Sequence, residues 1–195
     1  MDDSVNYEMI QDRLSELLDT LIFDILWLLP MTDLVKTTLK SLTIDGRDHL
    51  IDECAIKQIL CGSPNLEQLS MLIMENYENL SVQSTSLREL VIEKPMDHCL
   101  LYNLSTDTEL RIWTPNLETL NIGGVPYSEC LLMDVSLLTR VNLWFSRPPY
   151  NVDNLFCWNG FLGKTLSQIL PTIQHVEWVE LSDWCIKVIR VMKNK

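Results

Sequence analysis

Hydrophobic positions recur along this chain in two rhythms, a helical one near the start and a period-two one through most of the remainder. Leu14, Leu17, Leu18, Leu21, Ile22, Ile25, Leu26 and Leu29 follow i, i+3, i+4, i+7 spacing, which gives an α-helix one apolar stripe. Phe23, Trp27 and Leu28 occupy the other faces, so between residues 21 and 29 only Asp24 is polar. A helix apolar nearly all round must be buried nearly all round. Close to the start of the chain, that burial predicts one face packed on its own domain and another packed on a separate protein. The alternative is an ordinary core helix covered by the rest of the chain. Pro30 stops the helix, and Asp33 to Leu39 forms a second short one with Thr32 as its N-cap.

Further along, four segments share apolar residues at i, i+3 and i+5: Leu66-Leu69-Met71, Leu87-Leu90-Ile92, Leu117-Leu120-Ile122 and Leu138-Val141-Leu143. Their starts lie 21, 30 and 21 residues apart. Shorter alternations between them, Leu80/Val82, Leu110/Ile112 and Leu131/Met133, step by 30 and 21. Both series carry the same excess, which places one insertion between about Glu93 and Thr108. Positions i+3 and i+5 share a strand face, and a single coil cannot bury it, whereas stacked coils can. The pattern therefore predicts an irregular leucine-rich-repeat solenoid, entered through the turns Pro64-Asn65, Thr85-Ser86 and Pro115-Asn116. Leu39-Leu42-Ile44 starts the array and Val176-Val179-Leu181 ends it. The position that usually carries an Asn or Cys ladder holds Met74, Pro95, Val125 and Ser146, hence the irregularity. Two helices are expected within it, from Asp52 to Leu60 with Ala55, Ile56, Ile59 and Leu60 inward, and from Phe161 to Leu170, ended by Pro171.

Charge narrows the partners. Fifteen basic against 27 acidic residues give a formal charge of −12, which repels a phosphate backbone and an anionic membrane surface. Nucleic acid is excluded as a partner, and so is the membrane: Leu21 to Pro30 is about half a bilayer span and contains Asp24. The start Met1-Asp2-Asp3 is the opposite of a basic signal-peptide region, so the expected location is cytoplasmic or nuclear.

Residues 12 to 36, D-R-L-S-E-L-x-D-x-L-I-x-x-I-L-x-x-L-P-x-x-D-L-V-K, resemble the start of an F-box, in particular that of plant F-box proteins of the FBD and leucine-rich-repeat type. Asp12, Arg13, Ser15, Asp19, Asp33 and Val35 also stand where the family pattern expects such residues. Leu17-Leu18 replaces the family's Leu-Pro, and Lys40-Ser41-Leu42-Thr43-Ile44 stands where its third helix would continue. The resemblance implies an α/β chain in two parts, a partial F-box helical segment over 1–41 and a leucine-rich-repeat domain over 42–195. It further implies a substrate-receptor subunit of an SCF-type ubiquitin ligase, not itself an enzyme and needing no cofactor. Leu14, Leu17, Leu18, Leu21, Ile22, Ile25, Leu26, Leu29 and Pro30 would bind the Skp-type adaptor. The polar strand positions Glu67, Gln68, Arg88, Glu89, Glu118, Asn121, Arg140 and Asn142 of the repeat surface would bind the target protein. The alternative is a repeat interaction module that has lost adaptor binding.

Other chemistry is sparse. Gly160-Phe161-Leu162-Gly163-Lys164-Thr165 resembles the end of a phosphate-binding loop, but Trp158 stands where its first glycine belongs. Asp45, Asp48, Asp52 and Glu53 surround His49 without the spacing of a calcium loop, and read as a solvated acidic turn. The six cysteines, at 54, 61, 99, 130, 157 and 185, form no C-x-x-C pair and read as small buried hydrophobes. Trp113, Trp144 and Trp178 are expected to fill the irregular core; facing solvent, they would instead anchor a partner.

Overall fold

The computed structural model describes residues 39–46, 53–73, 79–95, 108–147 and 155–193, the side chains of 155–158 excepted. The residues expected to bind an adaptor, 14 to 30, most of the expected helix at Asp33 to Leu39, and the expected insertion around residues 96–107 lie outside these. Among the described residues the elements run β1 (Ser41–Asp45), α1 (Glu53–Gly62), β2 (Gln68–Leu72), β3 (Asn79–Gln83), β4 (Glu89–Lys94) and β5 (Glu109–Trp113). They continue with β6 (Thr119–Gly124), β7 (Glu129–Met133), β8 (Arg140–Phe145), α2 (Leu155–Thr172), β9 (Trp178–Leu181) and α3 (Asp183–Lys193).

The strands form two parallel sheets, one of six in the order β1-β2-β4-β6-β8-β9 and one of three in the order β3-β5-β7. This corrects the expected architecture. The expected helical F-box segment lies almost wholly outside the described residues; in place of the expected leucine-rich-repeat solenoid, the described chain is an α/β fold of two parallel sheets with three helices. The physical reason lies in the intermediate segments. Leu80, Val82, Leu110 and Ile112 alternate as strictly as the main series, and their backbones find ladder partners in one another, so they build a second sheet. The helices do not recur with each unit: α1 packs on β3 and α2 on β7 of this second sheet, while α3 packs on α2 and on β8 and β9 of the larger one.

Register fixes which face is buried. Leu69, Leu90, Leu120 and Val141 pair in one row, and Met71, Ile92, Ile122 and Leu143 in another, all almost wholly buried. They share one core with Leu80, Val82, Leu110, Ile112, Cys130 and Leu132 from the smaller sheet. In β7 the expected inward pair Leu131/Met133 is displaced by one residue: Cys130 pairs with Leu110, Leu132 with Ile112, and Leu131 and Met133 face solvent. A one-residue slip turns every side chain of a strand to the opposite face.

Turns set the entries. Leu66 N–H donates to Ser63 O, and Leu117 N–H to Thr114 O, each at 3.1 Å, across turns with Pro64 and Pro115 at the second position. Proline favours that position because its ring already holds the φ angle the turn requires. The unit-to-unit link is then repeated. Lys40 O accepts the N–H groups of Glu67 and Gln68, Glu67 O those of Arg88 and Glu89, and Arg88 O those of Glu118 and Thr119.

Helix α1 starts at Glu53, favourably placed in the first turn of the dipole, and buries Ile56 and Leu60 with Ala55 and Ile59 half-buried, as its periodicity predicts. Helix α2 is longer than expected at both ends, and Pro171 falls in its final turn. Its Gln168 Oε1 accepts the Cys130 N–H at 2.9 Å, covering the outer edge of β7. Helix α3 was not anticipated. Ser182 caps it, its Oγ accepting the Cys185 N–H at 3.5 Å while donating to Phe145 O at 3.0 Å.

Candidate protein-binding face

Every outward position of the six-stranded sheet follows from the registers. The first row runs Ser41, Gln68, Glu89, Thr119, Arg140, Trp178. The second is Thr43, Ser70, Val91, Asn121, Asn142, Glu180, and the third is Asp45, Leu72, Glu93, Gly123, Trp144. Lys40, Glu67, Arg88 and Glu118 form a rim just before the first row. All eight residues expected to bind a target, Glu67, Gln68, Arg88, Glu89, Glu118, Asn121, Arg140 and Asn142, therefore belong to one rim and the two rows beside it.

The rim is held by ion pairs between successive units, Lys40 Nζ to Glu67 Oε1 at 3.0 Å and Arg88 Nη1 to Glu118 Oε1 at 2.6 Å. The Lys40 hydrogen bond, followed by its charge, holds the Glu67 carboxyl below its ordinary pKa. Being exposed, these pairs order the rim more than they stabilise the fold. Inside the rim, Gln68 Nε2 donates to Glu89 Oε2 at 3.1 Å and Asn142 Nδ2 to Asn121 Oδ1. Neighbouring side chains along each row thus brace one another across strands.

The tryptophans overturn one expectation. Trp144 and Trp178 are 54% and 60% exposed on this face, and Trp113 is 38% exposed on the smaller sheet; none is a core filler. Each lies at an outward position of its strand, so period-two alternation alone assigns it to solvent once the register is known.

The smaller sheet presents a second surface. Its outward side carries Arg111, Trp113, Leu131 and Met133, and a groove of about 730 Å³ runs between it and Lys57 and Cys61 of α1. Arg111 is held by Glu109 at 2.7 Å, a hydrogen bond that raises its pKa. Glu129 is paired with Lys164 at 2.8 Å, which lowers its own.

The remaining motifs resolve as structure. Gly160 to Thr165 lies in the interior of α2, where the buried Thr165 hydroxyl donates to Tyr127 O and Lys164 is paired with Glu129, so no phosphate-binding loop is formed. Among the described residues no group of three potential metal ligands occurs; Asp48, His49 and Asp52 lie outside them. The expectation for the cysteines is corrected in part. Cys130 and Cys185 are buried, but Cys54 and Cys61 are exposed on α1, away from its apolar stripe. Burial pushes the Cys130 thiol up to about 12. No described helix is long and apolar enough to cross a membrane.

No family model matches this chain, and no curated protein or solved structure matches it.

Proposed function

We propose that this chain is a receptor subunit that holds a target protein on the outward face of the six-stranded sheet and docks through residues 12 to 36 on the Skp-type adaptor of a cullin–RING ubiquitin ligase. The single observation supporting the first half is the convergence of the polar rows with Trp144 and Trp178 on one solvent-facing surface. Exposed tryptophans bordered by arginine and amide groups are the composition from which interface hot spots are built. The second half is supported by the resemblance of residues 12 to 36 to an F-box, and its residues lie outside those described. The mechanism is proximity: the receptor raises the local concentration of target lysines beside a charged ubiquitin-conjugating enzyme and takes no part in the bond-making itself.

The test is capture of the purified full-length chain on an immobilised Skp-type adaptor. The unmutated chain is retained, and Leu26→Asp, checked by circular dichroism to keep its sheets, is not. Failure of the unmutated chain to bind removes the ligase assignment and leaves a stand-alone interaction module. Trp144→Ala and Trp178→Ala retain the adaptor and lose the target.

A further inference from the structure

Resting on the reading of this face as the target-binding surface, we propose that it recognises a basic segment of the target, with one Lys or Arg side chain seated in a slot over Gly123 between Glu93 and Trp144. The registers build the slot. Glu93 pairs with Gly123 and Gly123 with Trp144, so the three outward positions lie side by side on β4, β6 and β8. The outer two stand two strand spacings apart, about 9.5 Å. The middle position has no side chain. A Cβ placed on Gly123 would meet Trp144 O at 3.5 Å and Trp144 Cβ at 3.6 Å and nothing of Glu93, so the space above this glycine is open toward the carboxylate.

The walls suit a cation. Trp144 is 54% exposed, and its indole is the aromatic face that attracts an ammonium or guanidinium most strongly. Glu93 is exposed and has no ion-pair or hydrogen-bond partner for its carboxylate among the described residues. A Lys or Arg entering over Gly123 lays its alkyl stem along the floor and places its charged head between a π face and a carboxylate. Guanidinium satisfies both walls at once, because it stacks flat and donates from its edge.

The surrounding charges point the same way. Lys40 and Arg88 are neutralised by Glu67 and Glu118 on the rim, and Arg147, three residues beyond Trp144, lies over the Trp184 ring. Glu180, beside Asn142 in the second row, presents a second carboxylate between Trp178 and Trp144. Arg140 is four residues back along β8 from Trp144, about 13 Å away, at the opposite end of the strand. With a formal charge of −12 on the whole chain, long-range attraction favours a basic partner before contact is made.

The experiment is selection of a random linear-peptide display library on the full-length chain, followed by titration of the selected peptides by fluorescence anisotropy. The expected peptides contain Lys or Arg and lose about tenfold or more in affinity on Glu93→Gln, on Trp144→Ala and on Gly123→Leu, while Glu53→Gln on α1 leaves them unchanged. Glu93→Gln alters one exposed surface group, so it remains decisive should the leucine variant fold poorly. Peptides that need Trp144 but lack a basic residue, or that tolerate Glu93→Gln, overturn the slot and leave the face standing. Equal losses with Glu53→Gln and Glu93→Gln mean bulk charge attraction and also overturn it. Peptides indifferent to both Trp144→Ala and Trp178→Ala overturn the face, and the slot with it.

Discussion

Adding one methyl group at Gly124 tests the fold more sharply than any core truncation. This residue ends β6 with φ at +81°, and a Cβ there would lie 1.8 Å from Lys94 O and 2.4 Å from Lys94 C. That carbonyl cannot swing away freely, because it accepts the buried Val125 N–H at 2.7 Å; Gly124 O in turn accepts the Ser146 N–H at 2.8 Å. An L-residue in left-handed backbone costs about 1–2 kcal/mol. Parting β4 from β6 far enough to admit the methyl leaves buried backbone groups unpaired, at about 1–3 kcal/mol. Gly124→Ala should therefore lose about 2–5 kcal/mol, a large part of the about 5–15 kcal/mol that holds an ordinary domain together. The neighbouring glycine is the internal control. Gly123 has no positive φ and would give its Cβ ordinary van der Waals contacts, so Gly123→Ala should change stability by less than about 1 kcal/mol. Urea unfolding followed by far-UV circular dichroism measures both midpoints. Equal midpoints for the two variants, or a Gly124→Ala loss under about 1 kcal/mol, would refute the close approach of β4 to β6 at Gly124.

Two further outcomes follow from burial. Leu132→Ala should cost about 2–5 kcal/mol and Leu131→Ala less than about 0.5 kcal/mol by the same unfolding assay; the reverse order would show the β7 register to be wrong. The Cys130 thiol, ordinarily near 9.0, is pushed up to about 12 by burial, so above pH 9 the unfolded chain releases this proton while the folded one retains it. Stability should then fall by up to about 1.4 kcal/mol per pH unit through that window from this group, a slope that Cys130→Val reduces; an unchanged slope places the thiol in solvent.

Much of the larger sheet was legible in the sequence, because Leu69, Leu90, Leu120 and Val141 are strongly apolar and hold one position in a recurring i, i+3, i+5 pattern, which survives as ladder pairing. The second sheet was not. Its strands look like connections between units, and only hydrogen bonding from Leu80 to Leu110 to Cys130 reveals them as a layer. The slip in β7 has a similar cause. Leu131 and Met133 are more apolar than Cys130, and hydropathy ranks them inward, whereas pairing with Leu110 and Ile112 decides the matter. Helix α3 announced itself only through Ser182 and the spacing of Cys185, Val188, Ile189 and Met192, a short signal easily lost behind a strand. That Gln68, Glu89, Asn121, Arg140 and Asn142 share one face could be read from the sequence, because outward positions follow from inward ones, whereas the rim of Glu67, Arg88 and Glu118 comes from the links between strands. The exposure of Trp144 and Trp178 follows from the same alternation, but only once the register is fixed, since large aromatic rings serve cores and interfaces equally.

Each ladder in both sheets joins residues between 20 and 38 positions apart, from Leu110 with Cys130 to Arg140 with Trp178, and each is parallel. No described ladder closes by a tight hairpin, so no pair of strands can zip from a local turn. The chain must close a long loop before each first cross-strand bond forms, which makes for slow folding with late, concerted gains. On a ribosome, the earliest strands would wait unpaired until a second unit emerged, exposing Leu42, Ile44 and their neighbours for that interval.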